Sequence, residues 1–121
     1  MTEIPIHKHY DLEERTLVFA RDCRSFVKEL PRTVCNLEDG PQLIRSSGSI
    51  GANYIEANEA ISRKDFVHRI KICRKESKES KYWLQLVDTG QNEVLENERA
   101  RLTQEANEFC KIFGSIVTKS E

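Results

Sequence analysis

The chain is 121 residues long, a length that suits one domain with a core of its own. Charged residues make up 32% and hydrophobic ones 38%, with only 5 Gly and 3 Pro, a balance that favours helices and excludes the turn-rich pattern of a β-sandwich or barrel. The net charge of −1 excludes indiscriminate condensation onto nucleic acid, and the longest apolar run, residues 17–20, falls far short of the roughly 20 residues of a membrane span.

Residues 1–10 are polar and contain Pro5, which predicts an irregular N-terminal arm ahead of one bundle domain over residues 11–121. The opening Met1-Thr2-Glu3-Ile4-Pro5 has neither the charged nor the apolar region of a secretory signal, so a cytoplasmic protein is expected. Asp11 can cap a first helix with Glu14 as its capping-box partner, and Thr16, Phe19, Cys23, Phe26 and Leu30 recur at helical spacing before Pro31 stops the run. A loop through Asn36 and Asp39 follows. Gly40-Pro41 then predicts the start of a second helix whose stripe is Leu43, Ser47, Ile50, Tyr54 and Ala57, with Gly48 and Gly51 read as places where another helix comes close.

Ser62 caps the third predicted helix, with Asp65 at its third position. The seam of that helix is Phe66, Ile70, Cys73, Ser77, Ser80, Leu84 and Val87, and Gly90 is placed to end it. Asn92 caps the fourth, with the seam Leu95, Arg99, Leu102, Ala106, Phe109, Phe113 and Ile116. Four amphipathic helices with short connections predict an all-α, antiparallel up-down-up-down four-helix bundle. Ile72, Trp83 and Leu86 on the third helix and Leu17 and Val18 on the first lie off the main seams, which predicts self-association. Of the four cysteines, Cys23, Cys73 and Cys110 fall on apolar seams and Cys35 in the predicted loop.

Charge is unevenly placed. Residues 62–89 hold eight Lys or Arg against four Asp or Glu, while every other stretch is neutral or acidic. At roughly 100° per residue, Arg63, Lys64, Lys71, Arg74, Lys75, Lys78 and Lys81 share about a third of the circumference of the third helix, with Tyr82 among them. Glu76 and Glu79 fall outside that arc. Two uses fit such a single-sign stripe. It can face the phosphates of RNA or DNA, or it can be consumed by Glu93, Glu96, Glu98, Glu105 and Glu108 on the fourth helix.

Nothing in the chain spells an enzyme, a cofactor or a metal centre. Residues 45–53 lack the Gly-Lys-Ser/Thr ending of a phosphate loop and do not spell Gly-x-Ser-x-Gly. No Glu is followed three residues later by His, and His7, His9 and His68 are scattered. Glu56, Glu59, Glu76 and Glu79 are read as partners of Arg45, Arg69 or the lysines rather than as a carboxylate cluster.

The residues Arg45-Ser46, Ser49-Ile50-Gly51-Ala52-Asn53-Tyr54, Glu56-Ala57, Lys64-Asp65-Phe66, Lys75-Glu76, Glu79 and Tyr82-Trp83-Leu84, with Phe19-Ala20 and Leu30-Pro31 upstream, resemble the signature of the bacterial four helix bundle proteins related to those encoded in 23S rRNA intervening sequences. The resemblance covers about residues 12–88, and the fourth helix agrees only in pattern. It implies a bundle assembled as a homopentameric ring. A related branch, the accessory variability proteins of diversity-generating retroelements, is strongly basic and binds nucleic acid and a reverse transcriptase; this chain departs from it in its slightly acidic balance. The expectation is therefore a non-enzymatic homo-oligomer that binds RNA or DNA through the third helix. The alternative is a protein-interaction scaffold, or reverse-transcriptase accessory subunit, without nucleic-acid binding of its own.

Overall fold

Four helices form the computed structural model, which describes residues 3–121, with side chains from Leu12 onward: α1 (Glu3–Glu29), α2 (Val34–Asn58), α3 (Arg63–Leu86) and α4 (Glu93–Ser120). Among the described residues there is no strand. Met1 and Thr2, and the side chains of His7 and His9, lie outside the described residues.

The two later caps are those the sequence spells. Ser62 Oγ accepts from the Asp65 amide at 3.0 Å, and Asn92 Oδ1 accepts from the Leu95 amide at 3.0 Å. The two earlier starts differ from expectation. α1 begins at Glu3, ahead of Asp11, so most of the predicted arm is helical; Pro5 falls in the first turn, where an amide has no intrahelical partner to lose. α2 begins at Val34 rather than Pro41, because the Thr33 hydroxyl caps it by accepting from the Asn36 amide at 3.1 Å. Pro41 is carried inside the helix, and the predicted loop, Cys35 included, is its first turns. Gly40 marks a crossing instead of a start: a Cβ there would lie 3.0 Å from Val27 Cγ1 on α1.

Cross-helix pairs fix the topology. Along α1 and α2, Glu13 meets Asn58 and Val27 meets Gly40. Along α2 and α3, Arg45 meets Glu79 and Asn53 meets Arg69. Along α3 and α4, Lys71 meets Glu121 and Leu84 meets Arg99. In each case one number rises as the other falls, so successive helices are antiparallel. α1 closes the bundle on α4, and across the diagonal between α2 and α4 the rings of Tyr54 and Phe113 meet with centroids 5.8 Å apart.

The seams converge as one core. Phe19, Cys23, Phe26, Leu43, Ile50, Ile70, Cys73, Leu84, Leu102, Phe109 and Phe113 are buried, each large side chain contributing about 1.5–3 kcal/mol by leaving water. Phe19 meets Phe109 edge-on at 5.4 Å. Between α2 and α3 the seam narrows to hydroxyls, with Ser46 and Ser80 hydrogen-bonded at 2.9 Å, so these two helices lie close.

One end of the bundle is tied by a single buried side chain. Asn36 Nδ2 donates to the carbonyls of Pro31 (2.9 Å) and Asp88 (2.7 Å), while its Oδ1 accepts from the Asp88 amide at 2.9 Å. The α1–α2 and α3–α4 connections are thereby fastened together. α3 ends at Leu86, and Arg99 Nη1 donates to the Val87 carbonyl at 2.6 Å. Gly90, expected to end α3, instead turns the connection at φ 67° against Pro31.

Candidate functional site

α3 carries two faces of opposite character. Toward α2, its acidic residues are satisfied, as the sequence reading expected: Arg45 reaches Glu79 at 2.5 Å and Glu76 at 3.4 Å, and Glu76 is buried. Toward α4 and outward lies the basic stripe. Arg63, Lys64, Lys71, Arg74, Lys75, Lys78 and Tyr82 are exposed and Lys81 is half-buried, so α3 displays all eight along a rod of about 36 Å at 1.5 Å per residue.

The α4 carboxylates do not neutralise it. Glu105 holds Arg15 of α1 in a two-pronged pair at 3.0 and 2.8 Å, with the guanidinium 5.3 Å from the Phe109 ring. Glu98 holds Arg101, which also reaches Asp22 at 2.9 Å. Glu96 accepts from Thr89 and Arg99, and those hydrogen bonds hold its carboxyl below the usual range. Glu108 accepts from Gln104 at 3.1 Å. Among the described residues only Lys71 of the stripe has an ion pair, with Glu121 at 3.0 Å.

The flank of α4 beside the stripe is neutral and small, and the sequence reading did not pick it out. Arg74 lies over Gly114, its Cδ 3.7 Å from where a Cβ would be. Cys110 is half-buried; burial pushes its thiol up, and the charges of Lys78, Lys81 and Arg74 pull it part way back. At one end of the stripe, Arg63, Lys64, Val67, His68 and Lys71 line a shallow hollow with Ser120 and Glu121. At the other, Gln85 of α3 joins Arg99, Ala100, Thr103, Gln104 and Asn107 of α4 in a hollow without a carboxylate. The signal for this flank was the helical spacing of Thr103, Asn107 and Gly114 outside the predicted apolar seam; Cys110, expected on that seam, stands half-buried among them.

Among the described residues no three His, Cys, Asp or Glu side chains converge as a metal site, and His68 stands exposed on α3. A second surface feature is a groove between α1 and α2, floored by Thr16, Ala20, Gly48, Gly51 and Ala52 and rimmed by Leu17 and Ile55, which are 45% and 50% exposed. No described helix is long and apolar enough to cross a membrane.

Comparison with known proteins bears on the family and the fold. The family profile described as 23S rRNA-intervening sequence protein matches residues 8–115. Among solved structures, a protein of unknown function from the S23 ribosomal protein family of Bacteroides thetaiotaomicron is similar, with a TM-score of 0.74 and 29% identity over 88% of this chain and 97% of that one. No curated protein matches the chain.

Proposed function

The chain belongs to the 23S rRNA-intervening sequence protein family, and from that premise we propose that it is a non-enzymatic, cytoplasmic protein that binds the phosphate backbone of RNA or DNA through the α3 stripe. The observation that carries this reading is the disposition of charge. Six of the seven stripe cations have no carboxylate within ion-pair distance among the described residues, while Glu96, Glu98 and Glu105 of α4 pair with Arg99, Arg101 and Arg15 instead. Cations left in that condition repel one another and contribute nothing to folding, whereas a phosphate backbone brings them a counter-charge and releases condensed ions.

The same reading includes a homopentameric ring. Support comes from the α1–α2 groove, whose small floor and exposed Leu17 and Ile55 suit packing against a second copy. A ring repeats the stripe, so a modest field on each subunit adds by multivalency. Light scattering reads the mass directly, and an assembly of one subunit would remove this clause.

Fluorescence anisotropy with labelled RNA and DNA across a salt series tests the binding. The expected slope of log affinity on log salt is steep, and the quadruple variant Lys71→Glu, Arg74→Glu, Lys75→Glu, Lys78→Glu is expected to bind neither. Undiminished binding by that variant, or none by the native protein at low salt, rejects the reading in favour of a protein-interaction scaffold.

A further inference from the structure

One aromatic ring stands in water among the stripe cations. Tyr82 is 57% exposed. It follows Lys78, Lys75 and Lys71 by four, seven and eleven residues and so shares their outward row. Its ring is braced edge-on by half-buried Trp83, with centroids 5.0 Å apart and planes at 76°. Such a ring adds little to the core and cannot pair with a phosphate as a cation does. What it offers is a flat apolar face held at a fixed angle beside a row of positive charge.

A duplex laid along α3 would present sugars and phosphates to that row, with its base faces closed inside the stack, and the ring would have little to meet. An unpaired strand exposes base faces beside its phosphates, and aromatic side chains interleaved with cations are the means by which proteins hold such strands. Past Tyr82, the hollow lined by Gln85, Thr103, Gln104 and Asn107 supplies amide and hydroxyl groups suited to base edges, with Arg99 beside them.

We infer that the α3 stripe takes single-stranded nucleic acid, with Lys71, Lys75, Lys78 and Lys81 on the phosphates and one base stacked on Tyr82. The inference rests on the phosphate-binding reading above and adds strandedness to it. Trp83 is the sole tryptophan, and because it braces the stacking ring, its fluorescence reports occupancy.

The experiment titrates the native protein with a labelled oligouridylate and, separately, with a duplex of equal length. Tighter binding of the single strand, accompanied by a change in Trp83 emission, is expected. Tyr82→Ala should weaken the single strand by roughly tenfold, with duplex affinity held within about twofold, and Tyr82→Phe should retain the native preference. Equal loss on both ligands in Tyr82→Ala, or no loss on the single strand, overturns the stacking inference while salt-dependent duplex binding keeps the phosphate reading. Absence of binding to either ligand at low salt overturns both.

Discussion

Gly51 of α2 and Thr16 of α1 meet so closely that a Cβ on the glycine would stand 2.8 Å from Thr16 Oγ1 and 3.2 Å from its Cβ. Thr16 cannot swing aside cheaply, since it is β-branched, buried, and donates its hydroxyl to the Leu12 carbonyl at 2.7 Å. Gly51→Ala should therefore destabilise the fold by about 1–3 kcal/mol despite alanine's better helix propensity. Gly48, one turn away, faces only the tip of Arg24 at 3.4 Å. Gly48→Ala should be neutral or stabilise by up to about 1 kcal/mol. Urea unfolding of the two variants should give changes of opposite sign, or a clear gap between them.

Asn36 satisfies two carbonyls and one amide across the two connections that share its end of the bundle. Asn36→Ala strands those groups where water reaches them poorly, and a loss of about 2–3 kcal/mol is expected. Asn36→Asp should rescue little, because a carboxylate sets a second acceptor against the carbonyls of Pro31 and Asp88. Hydrogen exchange should speed up in both connections together, although they lie far apart in the chain.

Burial pushes the thiols of Cys23 and Cys73 up to about 12, against an ordinary value of 9.0. In the unfolded chain these thiols ionise as pH passes the ordinary value, while in the folded protein they stay protonated until near the raised one. Deprotonation thus favours the unfolded state, and stability falls as pH rises from 9.0 toward about 12. Each thiol steepens that fall by up to about 1.4 kcal/mol per pH unit. Cys23→Ala should lower stability near neutrality and flatten its alkaline slope. Thiol labelling near neutral pH should modify exposed Cys35 first and leave Cys23 and Cys73 untouched until unfolding.

Much of this architecture was legible in the chain because burial follows periodicity. Ile70, Cys73, Ser77, Ser80, Leu84 and Val87 lie where their spacing put them. Helix starts were legible where a side chain spells its own cap, as Ser62 and Asn92 do. The start of α2 was not, because Gly40-Pro41 carries the local signature of a beginning while Gly40 answers to Val27 across the bundle. The tie made by buried Asn36 escaped for the same reason, since Asp88 is distant in sequence, whereas Arg45 was among the partners the sequence offered for Glu76 and only the burial of Glu76 was not legible. The basic stripe could be read from angles alone, whereas the lack of ion pairs at its cations other than Lys71 depended on where Glu96, Glu98 and Glu105 turned.

The two flanks of α3 should respond oppositely to loss of positive charge. On the α2 side, Arg45→Gln deprives Glu79 of its partner and leaves Glu76, only 6% exposed, without its ion pair. A cost of about 1–3 kcal/mol is expected, relieved by the double change Arg45→Gln, Glu76→Gln. On the outer side, Lys75→Gln and Lys78→Gln remove charges that meet no carboxylate among the described residues. Less repulsion along the helix should leave stability unchanged or raise it by up to about 0.5 kcal/mol. A scaffold that consumed the stripe in contacts with a second copy would behave differently, because the same changes would then lower the mass measured by light scattering. Thermal melts and scattering of the outer-flank pair therefore separate a surface kept for an anionic ligand from one used for assembly. Retained assembly with equal or higher melting temperature and weakened nucleic-acid binding is the expected combination.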